Sequence, residues 1–333
     1  MTHPPQAMAL LDRFGRAKRK LRVSLTDRCN FRCPYCMPEN PQWLDREHLL
    51  DFDQRLDLLE LMVRELGIQQ LRLTGGEPLL YPQLLDLLTA LQPLRADGLQ
   101  RLSMTSNGYL LERQAQALAD VGLDDLNVSL DAVEDDRFRA LSGGRALAPV
   151  LTGIHAARAA GLPIKLNAVL LHQHNSDQLW PLLDWAAEQG LPLRFIEFMP
   201  LDGRGAWSRE RVVTERQILD EIRTREPNIQ ELGARGPASY YALPDRKLEI
   251  GIIPTITRPF CGDCDRLRLT AAGELLACLF SSRGPNLKQA LAGGADRAAI
   301  KREIRSAVWA KDEGYVARPG YTERTISMHG IGG

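Results

Sequence analysis

The sequence is poor in cysteine, carries no net charge and has no long apolar run. Lysine plus arginine number 42 and aspartate plus glutamate number 42, so the formal charge is zero. A neutral chain is not built for bulk binding of nucleic acid or an anionic membrane, although a single basic pocket remains compatible with it. No apolar stretch approaches the roughly 18 residues that a membrane helix needs. The N-terminus MTHPPQAMALLDRFGRAKRK lacks a basic start followed by an apolar run, so no secretory leader is expected. Only six of 333 residues are cysteine. Without an export signal, clustered thiols point to metal or catalysis rather than disulfides. A hydrophobic content of 44% is enough to bury a large core.

What is present is an alternation. LRVSLT (21–26), LRLT (71–74), QRLSMT (100–105), LNVSLD (126–131), PIKLNAVL (163–170) and LRFIEFM (193–199) read as six strands. Helical patterns separate them: DQRLDLLELMVREL (53–66), a segment from about Pro82, LERQAQALADVG, segments near 134–141 and 147–160, and SDQLWPLLDWAAEQ (176–189) despite its proline. Such alternation builds an α/β parallel sheet with right-handed crossovers, either doubly wound or an incomplete barrel. TERQ (214–217) is a capping box opening one more helix. After about residue 225 the pattern turns irregular, with short strands and turns, and DRAAIKREIRSAVWAK (296–311) reads as a late amphipathic helix. The expected organisation is a core over 1–225 and a second region over 226–333.

The cysteines fall into two sets of three. Cys29, Cys33 and Cys36 are spaced C-x3-C-x2-C directly after the first strand, at the edge where parallel α/β folds place their sites. Cys261, Cys264 and Cys278 follow a C-x2-C-x13-C pattern. A four-iron cluster normally takes four thiolates, so three leave one iron open to a ligand that is not protein. Zinc with a histidine or carboxylate as fourth ligand is the competing reading. It stays open for the second set. For the first it is poor, because His48 is the one histidine near it.

TDRCNFRCPYCMP and the later TGGEP resemble the radical SAM enzymes, in which three cysteines of this spacing hold a [4Fe–4S] cluster and S-adenosylmethionine chelates the open iron. With LRLTGGEPLL, MTSNG, LNVSLDA, RFIEFMP, RLR behind the second triad and an end in GIGG, the chain is similar from about Phe14 to Gly333 to the GTP 3′,8-cyclases of molybdenum cofactor biosynthesis. The resemblance implies an incomplete (β/α)6 TIM-like barrel with a C-terminal segment carrying a second [4Fe–4S] cluster across its mouth. It implies SAM contacts at Tyr35, Gly76, Ser129 and Met199. It implies GTP contacts at Arg22, Arg72, Thr105, Lys165, Arg266, Leu267 and Arg268. Arg22 and the diglycine tail, Gly332 and Gly333, are its further catalytic candidates. The residues are compatible with this: Gly75 and Gly76 allow close backbone approach, and Arg266 and Arg268 would share one face of a strand. Gln70 departs from the family, which often has lysine there.

The implied reaction converts GTP to (8S)-3′,8-cyclo-7,8-dihydroguanosine 5′-triphosphate through a 5′-deoxyadenosyl radical, with the guanine base held on the open iron of the second cluster. The implied partners are a flavodoxin-type electron donor and a downstream cyclic pyranopterin monophosphate synthase that takes the product, with a possible homodimer, no nucleic acid and no membrane. Oxygen-labile open-iron clusters imply a cytoplasmic setting. Two alternatives stand beside this: a peptide-modifying radical SAM enzyme with an auxiliary cluster, and a zinc-bearing binding module without turnover.

Overall fold

A computed structural model describes residues 9–281, 283–315 and 327–332. The alternating region forms β1 (Lys20–Ser24), α1 (Phe52–Arg64), β2 (Gln70–Thr74), α2 (Leu84–Leu91), β3 (Arg101–Ser106), α3 (Ala115–Asp120), β4 (Asp125–Ser129), α4 (Asp135–Ser142), α5 (Ala148–Ala159), β5 (Ile164–Val169), α6 (Leu179–Gln189), β6 (Leu193–Ile196) and α7 (Glu215–Arg225). Irregular chain then gives way to β7 (Gln230–Arg235), β8 (Ala238–Leu243), β9 (Leu248–Ile253), β10 (Arg266–Leu269), β11 (Leu275–Leu276), α8 (Leu287–Ala292), α9 (Arg297–Trp309) and α10 (Met328–Ile331). Among the described residues no helix is long and apolar enough to cross a membrane.

Strand order separates the two architectures that periodicity left open. The sheet runs β11-β10-β1-β2-β3-β4-β5-β6-β9-β8-β7, with β1 to β6 parallel and in sequence. A doubly wound sheet reverses its order at a switch point. An unreversed order with right-handed crossovers keeps the helices on one face and curls the sheet around the other. β1 and β6 do not meet; they pair with β10 and β9, so the barrel is incomplete. Residues 254–265 link these two edges and pass along the open side.

The strands alternate in a way that buried parallel strands do not. Leu21, Val23, Leu71, Leu73, Leu102 and Leu126 face the helices and are fully buried. Between them stand Arg22, Arg72, Ser103 and Asn127, on the concave face. A concave face this polar is lined for a guest, since a packed barrel interior is filled with branched apolar side chains.

Several local readings change. The sixth strand ends at Ile196, not Met199. Glu197 leaves the ladder fully buried and accepts from Thr257 Oγ1 at 2.6 Å, Ile256 N and Thr257 N at 2.8 Å, and Glu215 N, the first residue of α7, at 2.9 Å. Four donors outweigh strand continuation for a buried carboxylate. LERQAQALADVG is a 3-10 turn at Leu111–Arg113 followed by α3, and the helix after the fifth strand starts only at Leu179, which puts Pro181 in its first turn where no N–H partner is lost. The capping box holds: Thr214 Oγ1 accepts from Gln217 N at 3.3 Å and Gln217 Oε1 from Thr214 N at 2.9 Å.

Candidate active site

All six cysteines are free thiols and all six line one cavity in the barrel. The triads lie at opposite ends of it. Cys29 follows the C-terminal end of β1, whereas Cys264 precedes β10, whose Arg266 is level with Lys20 at the start of β1. A five-residue strand spans about 16 Å at 3.3 Å per residue, so the triads are held apart by the length of a small molecule. Among the described residues no three His, Cys, Asp or Glu side chains, the two triads included, close around a single ion.

The first triad sits in a loop folded against two other strand ends. Gly75 is at φ 148°, and a Cβ there would strike the Thr26 carbonyl; one on Gly76 would strike the Arg28 and Asp27 carbonyls. Gly76 N donates to Thr26 O at 2.7 Å and Glu77 N to Arg28 O at 2.8 Å. The glycines are therefore needed first for the approach of the cysteine loop itself. Glu77, 1% exposed, accepts from Ser106 Oγ and Asn107 N, both at 2.7 Å, and burial raises its pKa to about 7. Tyr35 donates its hydroxyl to Asp131, whose other oxygen accepts from Val169 N at 2.8 Å, and burial raises Asp131 to about 6. Burial, then Glu77, pushes the Cys29 thiol up to about 11; burial also drives Cys33 and Cys36 upward. Phe31 N at 3.4 Å and Asn107 Nδ2 at 3.8 Å point at the Cys29 sulfur. Thiols this costly to ionise unaided, with N–H groups aimed at them, suit thiolates neutralised by iron.

Register builds the middle of the cavity. Arg268, Arg22 and Arg72 are side by side on β10, β1 and β2. Like charges on adjacent strands repel. Burial, then Arg268, Arg266, Arg72 and Arg194, holds Arg22 well below the usual arginine range; burial, then Arg266, brings Arg268 to about 9. Burial followed by Arg194 also lowers Lys165. Against these cations stands Asp125, 2.6 Å from Arg101 Nε and 3.6 Å from Arg72 Nη2. Guanidiniums stay protonated, so this excess of positive charge, half-buried except at the buried Arg268, suits the site to an anionic guest.

Of the residues singled out in the sequence, Tyr35, Gly76, Ser129, Met199, Arg22, Thr105, Arg266 and Arg268 line the cavity with the six cysteines. Arg72 and Lys165 stand on the same concave face, outside its lining. Leu267 does not join them: its side chain is 1% exposed in the apolar core, so the cavity can meet only its backbone. Gly332 lies with its carbonyl accepting from Arg268, and a Cβ there would strike Thr74 Oγ1. Gly333 lies outside the described residues. The sequence reading passed over Arg194. It donates to Asn167 Oδ1 at 3.0 Å and Asn127 Oδ1 at 2.9 Å, beneath Gly251, where a Cβ would press on its side chain. Its signal was visible, an arginine among the apolar residues of the strand read at 193–199. Glu77 and Asp131 stood inside quoted motifs without a role.

Two family models match the chain: the Radical SAM superfamily over residues 23–186 and Molybdenum Cofactor Synthesis C over 191–317. The chain is 43% identical to a GTP 3′,8-cyclase of Streptomyces coelicolor over 98% of its own length and 97% of the relative's. It belongs to the GTP 3′,8-cyclase family. Another member, from Corynebacterium glutamicum, is 41% identical over 97% of this chain and 89% of the relative. Among solved structures, Streptococcus suis SuiB bound to S-adenosylmethionine aligns at TM-score 0.59 and 15% identity over 87% of this chain and 68% of that one. Native anSMEcpe with bound AdoMet aligns at 0.57 and 14% over 94% and 88%. These two show a shared fold, the radical SAM barrel, and a cyclase-family member with this barrel is a radical SAM enzyme of molybdenum cofactor biosynthesis.

Proposed function

We propose that the chain converts GTP to (8S)-3′,8-cyclo-7,8-dihydroguanosine 5′-triphosphate. The observation that carries this is that Arg22, Arg266 and Arg268 line one cavity with two thiol triads, with Arg72 in register beside Arg22 just outside that lining. Cys29, Cys33 and Cys36 hold a [4Fe–4S] cluster with SAM against Tyr35, Gly76, Ser129 and Met199. Cys261, Cys264 and Cys278 hold a second one at the base end of the nucleotide. With cluster and SAM bound there, one-electron reduction would release methionine and supply a 5′-deoxyadenosyl radical to take the ribose 3′ hydrogen.

The chain's own contribution is placement. Arg22, Arg72, Lys165, Arg194, Arg266 and Arg268 take the triphosphate and fix the nucleotide lengthwise, as guanidinium forks suit phosphate oxygens. Thr105 and the Leu267 backbone add polar contacts. Gln70 offers no charge at its position. Arg22 and Gly332 act at the reacting ribose, with Gly333 assigned there by the family resemblance alone. Asn127 and Asn167 hold Arg194 in one orientation, so its geometry is set before the nucleotide arrives. The barrel core over 1–225 and the region over 226–333 each bring one triad. A flavodoxin-type donor, hand-over to a cyclic pyranopterin monophosphate synthase, a homodimer and a cytoplasmic setting complete the reading.

Anaerobically reconstituted protein with dithionite, SAM and GTP is expected to release 5′-deoxyadenosine and the cyclised nucleotide; release of neither rejects the proposal. Peptide modification has one observation on its side, a fold neighbour solved with a peptide at 14% identity. A peptide without clustered acidic side chains gives the arginine row no charge to meet. Deoxyadenosine output that is indifferent to GTP would favour the peptide.

A further inference from the structure

Buried cations converge on the second triad. Lys311, just beyond the end of α9, is 4% exposed. Its Nζ lies 3.3 Å from the Cys264 sulfur and donates to the Ala277 carbonyl at 2.6 Å. Lys18, 1% exposed, donates to the Cys264 carbonyl at 2.6 Å and to Asp12 at 2.8 Å. Arg16 donates to the Cys261 carbonyl at 2.7 Å and to Asp12 at 2.6 Å. Two of these cations, Lys18 and Arg16, thus share one carboxylate, Asp12. Burial opposes the charge on Asp12, but hydrogen bonds from Lys18 and Arg16 prevail and bring its pKa down to about 2, so it is fully ionised. Lys18 is depressed by its own burial and, in part, by Lys311. The first triad has the opposite surroundings: two buried carboxyls, Glu77 and Asp131, with the half-buried Arg32 as the cation acting on Cys29.

We infer that Lys311, supported by Lys18 and Arg16, is a positioning residue that sets the reduction potential of the cluster at Cys261, Cys264 and Cys278 above that of the cluster at Cys29, Cys33 and Cys36. This rests on the two-cluster reading. A thiolate-bound cluster gains one negative charge when it accepts an electron. A fixed cation in a poorly screened site favours that reduced form, and an N–H directed at a ligand sulfur adds to it. Lys311 supplies both through one atom. The two clusters draw on the same one-electron donor, so the second fills first.

The test is an anaerobic titration with dithionite and redox mediators, followed by electron paramagnetic resonance, on reconstituted full-length protein. Wild type should show two reduction waves, with the Cys278→Ala variant identifying the second-triad wave. Lys311→Met should lower that wave so that the reduced-to-oxidised ratio at a fixed potential falls at least tenfold, which is 59 mV for one electron. The first wave should not move, and Lys311→Arg should restore most of the loss. Lys18→Met, which leaves the sulfur contact in place, should lower the same wave by less, and serves if Lys311→Met fails to hold iron. An unmoved second wave in iron-replete variants overturns the inference but leaves the two clusters standing. Absence of a second iron–sulfur signal from wild type overturns the cluster reading and the inference with it.

Discussion

Replacing Arg194 by methionine separates a cation kept for a ligand from one kept for the fold. Arg194 makes its hydrogen bonds to two asparagine side chains of the concave face, Asn127 and Asn167, and pairs with no carboxylate among the described residues. It is one of the charges that depress Arg22, Arg72 and Lys165. Methionine keeps most of the stem's packing and removes that repulsion. Without ligand the variant should therefore be as stable as wild type or slightly more so, within about 1 kcal/mol. With GTP the balance inverts. A hydrogen bond to a charged group contributes about 1.5–3 kcal/mol, which corresponds to an affinity loss of about 10- to 100-fold at 1.4 kcal/mol per decade. Anaerobic calorimetry with GTP, beside thermal melts of the same samples, reads both quantities. The signature is a large loss of affinity without loss of stability. Unchanged GTP affinity would refute the assignment of Arg194 to the nucleotide. A variant destabilised by several kcal/mol would show that the arginine holds the barrel instead.

Cys278→Ala should leave part of the SAM cleavage intact and abolish cyclisation, measured as 5′-deoxyadenosine and cyclised nucleotide separately; survival of both would remove the second triad from catalysis. Gly76→Ala forces a methyl group into the Arg28 and Asp27 carbonyls, so it should destabilise by about 1–3 kcal/mol or more and deplete iron at the first triad; wild-type iron content and melting would contradict the packing account. Glu77 titrates near 7 in the fold, above its unfolded value of 4.5. The folded state then binds more protons than the unfolded one, so the protein without SAM should lose stability as pH rises through 4.5 to 7, by about 3 kcal/mol from this group. Denaturant titrations at pH 5 and pH 8 on wild type and Glu77→Gln check the sign: the variant should show the smaller difference.

What could be read from the chain was local. The C-x3-C-x2-C loop, the Thr214–Gln217 capping box and the run of six strand–helix units each repeat a short pattern whose physics is complete within a few residues. Arg22, Arg72 and Lys165 were legible for the same reason, as charges at alternate positions in apolar strands. Strand endings were less so, because they depend on distant partners: β6 stops where Glu197 turns to donors at 256–257 and at the start of α7.

The chain by itself determined which residues are candidates for the chemistry, since thiol spacing and strand alternation are properties of neighbours. Tertiary pairing decided what they face. β10 joins β1 in parallel across more than 240 intervening positions, and this one pairing aligns Arg268 with Arg22 and brings the second triad to the far end of the first triad's cavity. Lys311, Lys18 and Asp131 acquired their partners in the same way. Such contacts are made between segments far apart in sequence, so no window of the chain contains both sides of them. Burial and opposing charge, the forces that give these side chains their roles, exist only once the barrel has formed.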